Sequence, residues 1–168
     1  PTAMKERDEV IALAKEQEGE NFEMMAWDSA YYSHQLQLKK YNLDPEELRP
    51  YFEVNNVIKG VFGLATRLYG ITFKENKDIP VYHPDVKPYE VYDEDGSYLA
   101  VLYVDFHPRK GKRDGAWMTE YQGQWIDKKG ENHRPHTSLV MNLSKPTDEK
   151  PALLRLGEVE TFLHEFGH

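Results

Sequence analysis

His164-Glu165-Phe166-Gly167-His168 places two imidazoles four positions apart, with a carboxylate directly after the first. On a helix, positions i and i+4 lie one above the other on a single face, so both rings can reach one metal ion. Imidazole is a favoured zinc ligand, and Glu165 stands where it can take a proton from a water that the metal activates. A hydrolytic zinc site needs three protein ligands and one open position. The motif supplies two of the three. Thr161, Phe162, Leu163 and Phe166 surround it with apolar bulk, as a buried site requires. Gly167 costs roughly 1 kcal/mol relative to Ala in a helix interior, which makes sense where another element packs closely. Two weaker candidates accompany the motif. His133 and His136 lie three apart in a polar stretch and could ligate a metal, although surface histidines are commoner. The basic run from Arg109 to Arg113 could hold a carboxylate, although a solvated loop is the simpler reading.

The elements that must position the motif change character near Gly70. Apolar residues recur at helical spacing over residues 4–18, and Gly19 stops the run. Asp28 is a plausible N-cap for a second helix through Tyr31, Tyr32, Leu36 and Leu38. Asp44-Pro45-Glu46-Glu47 reads as a third helix start. Val54, Val57, Ile58, Val61, Phe62, Leu64, Ala65 and Leu68 form the most apolar helical stretch, over residues 53–69. Beyond Gly70, residues 88–93 and 98–106 flank Asp95-Gly96, a hairpin turn signal. Residues 107–115 read as loop, 116–125 as a strand or irregular stretch, 126–136 as polar loop and 138–143 as a strand. Glu158 and Glu160 favour a helix start near Gly157. The expected fold is α+β: residues 1–70 helical, 71–150 a small antiparallel sheet with loops, and 151–168 the beginning of the motif helix.

Composition narrows the function. The chain has 168 residues, 39% of them hydrophobic and 30% charged, enough for a real core without a metal or disulfide staple. Its net charge of −8 argues against nucleic-acid and anionic-membrane partners. It has no cysteine, so it holds neither disulfides nor thiolate metal ligands. No apolar run approaches a membrane span, and residues 1–20 carry no signal-peptide core. A cytoplasmic location is the expectation. Because Pro1 is not a natural start, the chain is expected to be an excised segment, and a periplasmic or exported parent stays open.

Val159-Glu160-Thr161-Phe162-Leu163 leading into the motif resembles the signature of the thimet-oligopeptidase family of zinc peptidases. Trp27-Asp28 with Tyr31-Tyr32, Arg49-Pro50-Tyr51-Phe52 and residues 68–73, 81–86, 114–117 and 142–146 are similar to family segments in the same order. Within the family the likeness is greatest to the bacterial peptidyl-dipeptidase subgroup. The resemblance implies a partial domain of a mostly helical zincin-type peptidase, with His164 and His168 as zinc ligands and Glu165 as general base and proton shuttle. It implies one zinc ion per parent site, a third ligand (a glutamate) on a later helix, and short peptide substrates that lose a C-terminal dipeptide. Trp27, Tyr31, Tyr32 and Phe52 are expected as core aromatics.

Three further expectations follow. Glu160, one turn before His164, either hydrogen-bonds that imidazole or faces solvent. Gly115 and Ala116 mark a candidate sheet edge where a peptide could add as a strand. The isolated segment is expected to be inactive and to leave apolar faces uncovered, so that it could form a non-native dimer. The rival reading is a non-catalytic module that folds alone and binds metal weakly at most.

Overall fold

The computed structural model describes residues 2–42, 44–147 and 151–168. The chain forms two compact units, Pro1–Glu47 and Leu48–His168.

In the first unit, α1 (Thr2–Glu18) packs on α2 (Ser29–Tyr41) around Val10, Ala14 and Tyr32, with Phe22, Met24 and Leu36 alongside. Gly19, at φ +105°, ends α1. The Tyr32 hydroxyl donates to Glu18 (3.1 Å). The family-like aromatics divide here. Tyr32 is buried, but Trp27 is 77% exposed and Tyr31 is also exposed, so neither is a core residue of this unit. The inward stripe of α2 runs through Tyr32 and Leu36, and Tyr31 lies about 100° round the helix from it.

A 3-10 helix, Pro45–Tyr51, replaces the α-helix expected after Asp44. Asp44 still caps it, accepting from the Glu46 N–H (2.9 Å). Pro50 has no N–H to give an α-helical ladder, which keeps the segment short.

In the second unit, α3 (Val54–Tyr69) presents Val54, Val57, Ile58, Val61, Phe62 and Ala65 to the core. The Glu53 side chain caps its start and Gly70, at φ +75°, closes it. The strands are β1 (Thr72–Glu75), β2 (Lys87–Tyr92), β3 (Tyr98–Asp105), β4 (Trp117–Gln122), β5 (Trp125–Ile126), β6 (Asn132–His133) and β7 (His136–Val140). A five-stranded sheet runs β1-β2-β3-β7-β4, while β5 and β6 form a small hairpin. The Asp95-Gly96 turn joins β2 to β3 as expected, with the Asp93 N–H donating to the Ser97 carbonyl (2.8 Å).

The sheet is mixed, not antiparallel as expected, because β3 and β7 run parallel. Parallel neighbours need a crossover connection of about a dozen residues or more. Residues 106–135 supply it, and β4, carried within that crossover, pairs antiparallel with the far side of β7. This leaves β4 at one edge of the sheet and β1 at the other.

One sheet face carries Leu102, Val104, Leu139 and Met141 against α3 and against α4 (Leu156–Gly167). Phe62 stacks on Phe73 with centroids 4.1 Å apart, and Phe106 meets Phe162 edge-on at 4.8 Å. A groove of about 310 Å³ between α3 and α4, lined by Tyr51, Val57, Leu64, Val159 and Leu163, stays open.

Candidate active site

The position of α4 is fixed by the chain that enters it. The Val54 N–H donates to the Ala152 carbonyl (3.0 Å) and the Leu154 N–H donates to the Phe52 carbonyl (2.8 Å). The Arg49 guanidinium donates to the Leu153 carbonyl (3.1 Å). These bonds tie the entry of the motif helix to the start of α3. The helix then opens with the Glu158 carboxylate accepting the Arg155 N–H (2.7 Å), which satisfies a donor that a helix start would otherwise leave free.

Phe162 is wholly buried, and Val159 and Phe166 pack partly against the same core. A step of two residues turns a helix by about 200°. His164 therefore lies on the face opposite Phe162 and Phe166, His168 follows at the C-cap, and both are exposed. Their rings stand edge to face with centroids 4.9 Å apart. Neither ring makes a hydrogen bond among the described residues. Two uncommitted imidazoles this close fit a shared metal ion. Glu165 is half-buried and turned toward the sheet.

Glu165 and His168 border a recess of about 260 Å³ between α4 and the sheet. Its walls are apolar, with Phe73, Leu102, Leu139 and Phe166 prominent. Edge strand β4 contributes Met118 and Glu120, and β7 contributes Thr137. Strand alternation explains the placement: Met118 and Glu120 share one face, while Tyr121 turns to the other, where it meets Tyr103 and Tyr82. Glu120 pairs with Thr137 across the ladder, and a bulge follows at once, before Gln122. Glu120, Met118 and Thr137 escape a reading of the sequence alone. The alternation of residues 117–122 was the available signal, but nothing local says which face meets the motif helix.

The remaining candidates fall as follows. Glu160 is exposed and makes no hydrogen bond to His164 among the described residues. Gly115, at φ +97°, immediately precedes Ala116 and β4, and its carbonyl accepts from the Asn142 side chain (2.9 Å). Nothing lies within 4 Å of a Cβ built on Gly167, so the close packing expected there does not occur among the described residues. His133 and His136 do not converge. The His136 ring meets the Tyr103 hydroxyl (3.4 Å), while His133 stacks on Trp125 (centroids 4.1 Å apart). Asp127, Glu131 and His133 form the one group of three potential metal ligands among the described residues, with ligand atoms within 4.8 Å of one another. The hairpin loop accounts for that grouping, since Asp127 accepts the N–H groups of Lys129 (2.8 Å) and Glu131 (2.9 Å).

The basic run is solvated only in part: Lys110 and Arg113 are exposed, but Arg109 and Lys112 turn inward. Arg109 donates two hydrogen bonds to the Asp105 carboxylate (2.7 and 2.9 Å), and Lys112 Nζ adds a third (2.9 Å). The Tyr82 hydroxyl donates to the same carboxylate (2.9 Å). Burial pushes the Asp105 carboxyl up, but hydrogen bonds from Arg109, Lys112 and Tyr82 outweigh it and hold the group at about 2. Burial also pushes the Lys112 ammonium down, against the pull of Asp105. The cluster pins the loop that delivers β4 to the sheet edge.

The whole chain, residues 1–168, matches the sequence profile of peptidase family M3. It is 42% identical over 168 residues to oligopeptidase A of Escherichia coli, covering 100% of this chain and 25% of that protein. It is 46% identical over 149 residues to dipeptidyl carboxypeptidase of Salmonella typhimurium, covering 88% of this chain and 21% of that protein. Saccharolysin of Saccharomyces cerevisiae is 34% identical over 149 residues, 84% of this chain and 21% of that protein. The chain thus spans about a quarter of the length of the relatives it matches. No helix among the described residues is long and apolar enough to cross a membrane.

Proposed function

The chain belongs to peptidase family M3, and from that premise we propose that it is the motif-bearing segment of a zinc-dependent oligopeptidase that releases C-terminal dipeptides from short peptides. One observation carries the reading: two exposed, uncommitted imidazoles stand together on α4, and Glu165 beside them faces a recess under an edge strand. His164 and His168 would hold the metal, and a third ligand would come from the rest of the parent, since three are needed. A bound zinc ion would supply Lewis acidity, polarising the peptide carbonyl and making water acidic enough to deprotonate near neutral pH.

Glu165 does the proton work. Its carboxylate accepts the proton of the attacking water and returns it to the leaving amine nitrogen as the peptide bond breaks. Glu160 keeps a subordinate role, available to orient His164 if that ring turns toward it. The free edge of β4, entered through Gly115 and Ala116, offers backbone groups to which a peptide can add as a strand. With two of three ligands, the isolated segment is inactive. The parent acts on peptides in a soluble compartment, which the acidic, cysteine-free composition suits as cytoplasm.

The test uses the parent protein and a set of short peptides, with products read by mass spectrometry. Dipeptides released from the C terminus, with a loss of roughly 10²- to 10⁴-fold in Glu165→Gln and unchanged zinc content, are the expected result. Internal cleavage alone would remove the dipeptide-releasing reading while keeping the peptidase. Full activity in Glu165→Gln would remove the assignment of the general base.

A further inference from the structure

We propose that Glu120 makes the recess beside Glu165 a subsite for a basic side chain of the peptide, so that the enzyme selects lysine or arginine at one substrate position. The inference rests on the peptidase reading above and goes beyond it by naming what the site prefers.

Four observations meet at this residue. Glu120 lies on edge strand β4, the strand nearest the motif helix, and its side chain borders the same recess as Glu165 and His168. The rest of that recess is largely apolar, and no lysine or arginine lines it. Glu120 has no hydrogen bond or ion pair among the described residues, so its carboxylate is uncommitted. The bulge directly after it lies at a sheet edge, where bulges commonly re-aim side chains.

Size and chemistry decide the occupant. A recess of about 260 Å³ lies below the roughly 300–1,000 Å³ of pockets that enclose whole small ligands. It suits one long side chain. Lysine and arginine bury an aliphatic stem along apolar walls and keep the charged head at a polar group. Here Met118, Leu139 and Phe166 offer the walls, and Glu120, with Thr137 across the ladder, offers the acceptor. A neutral side chain of the same length fills the walls but gains no ion pair with the exposed Glu120 carboxylate at the rim. Glu120 is exposed, at the rim of the recess, and a charged side chain on an edge strand also has a purely structural use, since it discourages pairing with another sheet. That use predicts altered aggregation and no change in substrate choice.

The experiment takes the metal-loaded parent and matched peptides that differ only by lysine, norleucine or glutamate at one position, moved along the peptide. The readout is the ratio of kcat/KM for lysine over norleucine, so general damage to the enzyme cancels. The proposal expects one position at which lysine is preferred, a fall in that ratio of about ten- to hundredfold in Glu120→Gln, and a shift toward glutamate in Glu120→Lys. Glu120→Asp should retain part of the preference. An unchanged ratio at every position in both Glu120→Gln and Glu120→Lys overturns the proposal while leaving the peptidase intact. That is also the result if the rest of the parent fills the recess. Failure of the parent to cut any peptide overturns the functional reading and this inference with it.

Discussion

His164 and His168 stand edge to face on one side of α4, with ring centroids 4.9 Å apart. That relationship predicts weak zinc binding by the segment itself, because two imidazoles can serve and a hydrolytic zinc site takes three protein ligands. Calorimetry on the 168-residue chain should show a single zinc site, abolished in His164→Ala and in His168→Ala alike. The parent should bind zinc far more tightly. Equal affinity in segment and parent would count against a third ligand supplied by the rest of the parent.

The motif was legible because helical spacing is a local property. So were α3, with its apolar stripe and Gly70 stop, and the hairpin at Asp95-Gly96. What the sequence hid is long-range. The parallel pairing of β3 with β7 depends on how residues 106–135 cross over, and no residue in either strand announces it. Lys112 and Arg109 read as solvated because their partner, Asp105, sits in an apolar strand that looks like plain core. Glu120 was invisible as a site residue for the same reason: its meaning depends on which face of β4 meets α4.

Asp105 and Lys112 form a buried ion pair, with side chains 2% and 3% exposed. Asp105 is held at about 2, below the ordinary aspartate value of about 3.9. A carboxyl depressed on folding contributes its stability fully above the ordinary value and loses it as pH falls toward the folded one. The window is therefore about pH 4 down to 2, and the contribution is on the order of 2–3 kcal/mol. Asp105→Asn should destabilise by about 3–5 kcal/mol at neutral pH, since it leaves the buried Lys112 ammonium, and the partly exposed Arg109 beside it, short of a counter-charge. The gap between wild type and variant in urea melts should narrow across that acid window. A gap that stays constant down to pH 2 would show that Asp105 is not linked to folding through its charge.

Gly70 is constrained twice over. Its φ is +75°, and a Cβ built there would meet the Glu94 Cβ at 2.7 Å. Side chains rarely adopt that backbone conformation, and the contact is far inside van der Waals range. Gly70→Ala should cost more than the ~1 kcal/mol that such a glycine-to-alanine change typically involves. Gly63→Ala within α3, where a Cβ meets nothing within 4 Å, should be neutral or stabilising. Thermal melts of the pair test this, and equal midpoints would argue against strain at the junction of α3 and β1.

Phe162 is where the fold reaches the motif. It is wholly buried, meets Phe106 edge-on at 4.8 Å, and lies on the face of α4 opposite His164. Phe162→Ala should cost about 3–5 kcal/mol through lost burial and the cavity left behind. Phe162→Leu, which keeps more of the volume, should cost less. The substitution touches neither histidine, so any fall in zinc affinity must come through displacement of the helix. In the parent, zinc binding measured below the unfolding transition should therefore weaken in Phe162→Ala more than in Phe162→Leu. A Phe162→Ala variant that loses several kcal/mol of stability yet binds zinc as wild type does would show that the ligands are positioned by the entry of α4 at Arg49, Phe52 and Val54 rather than by its buried face.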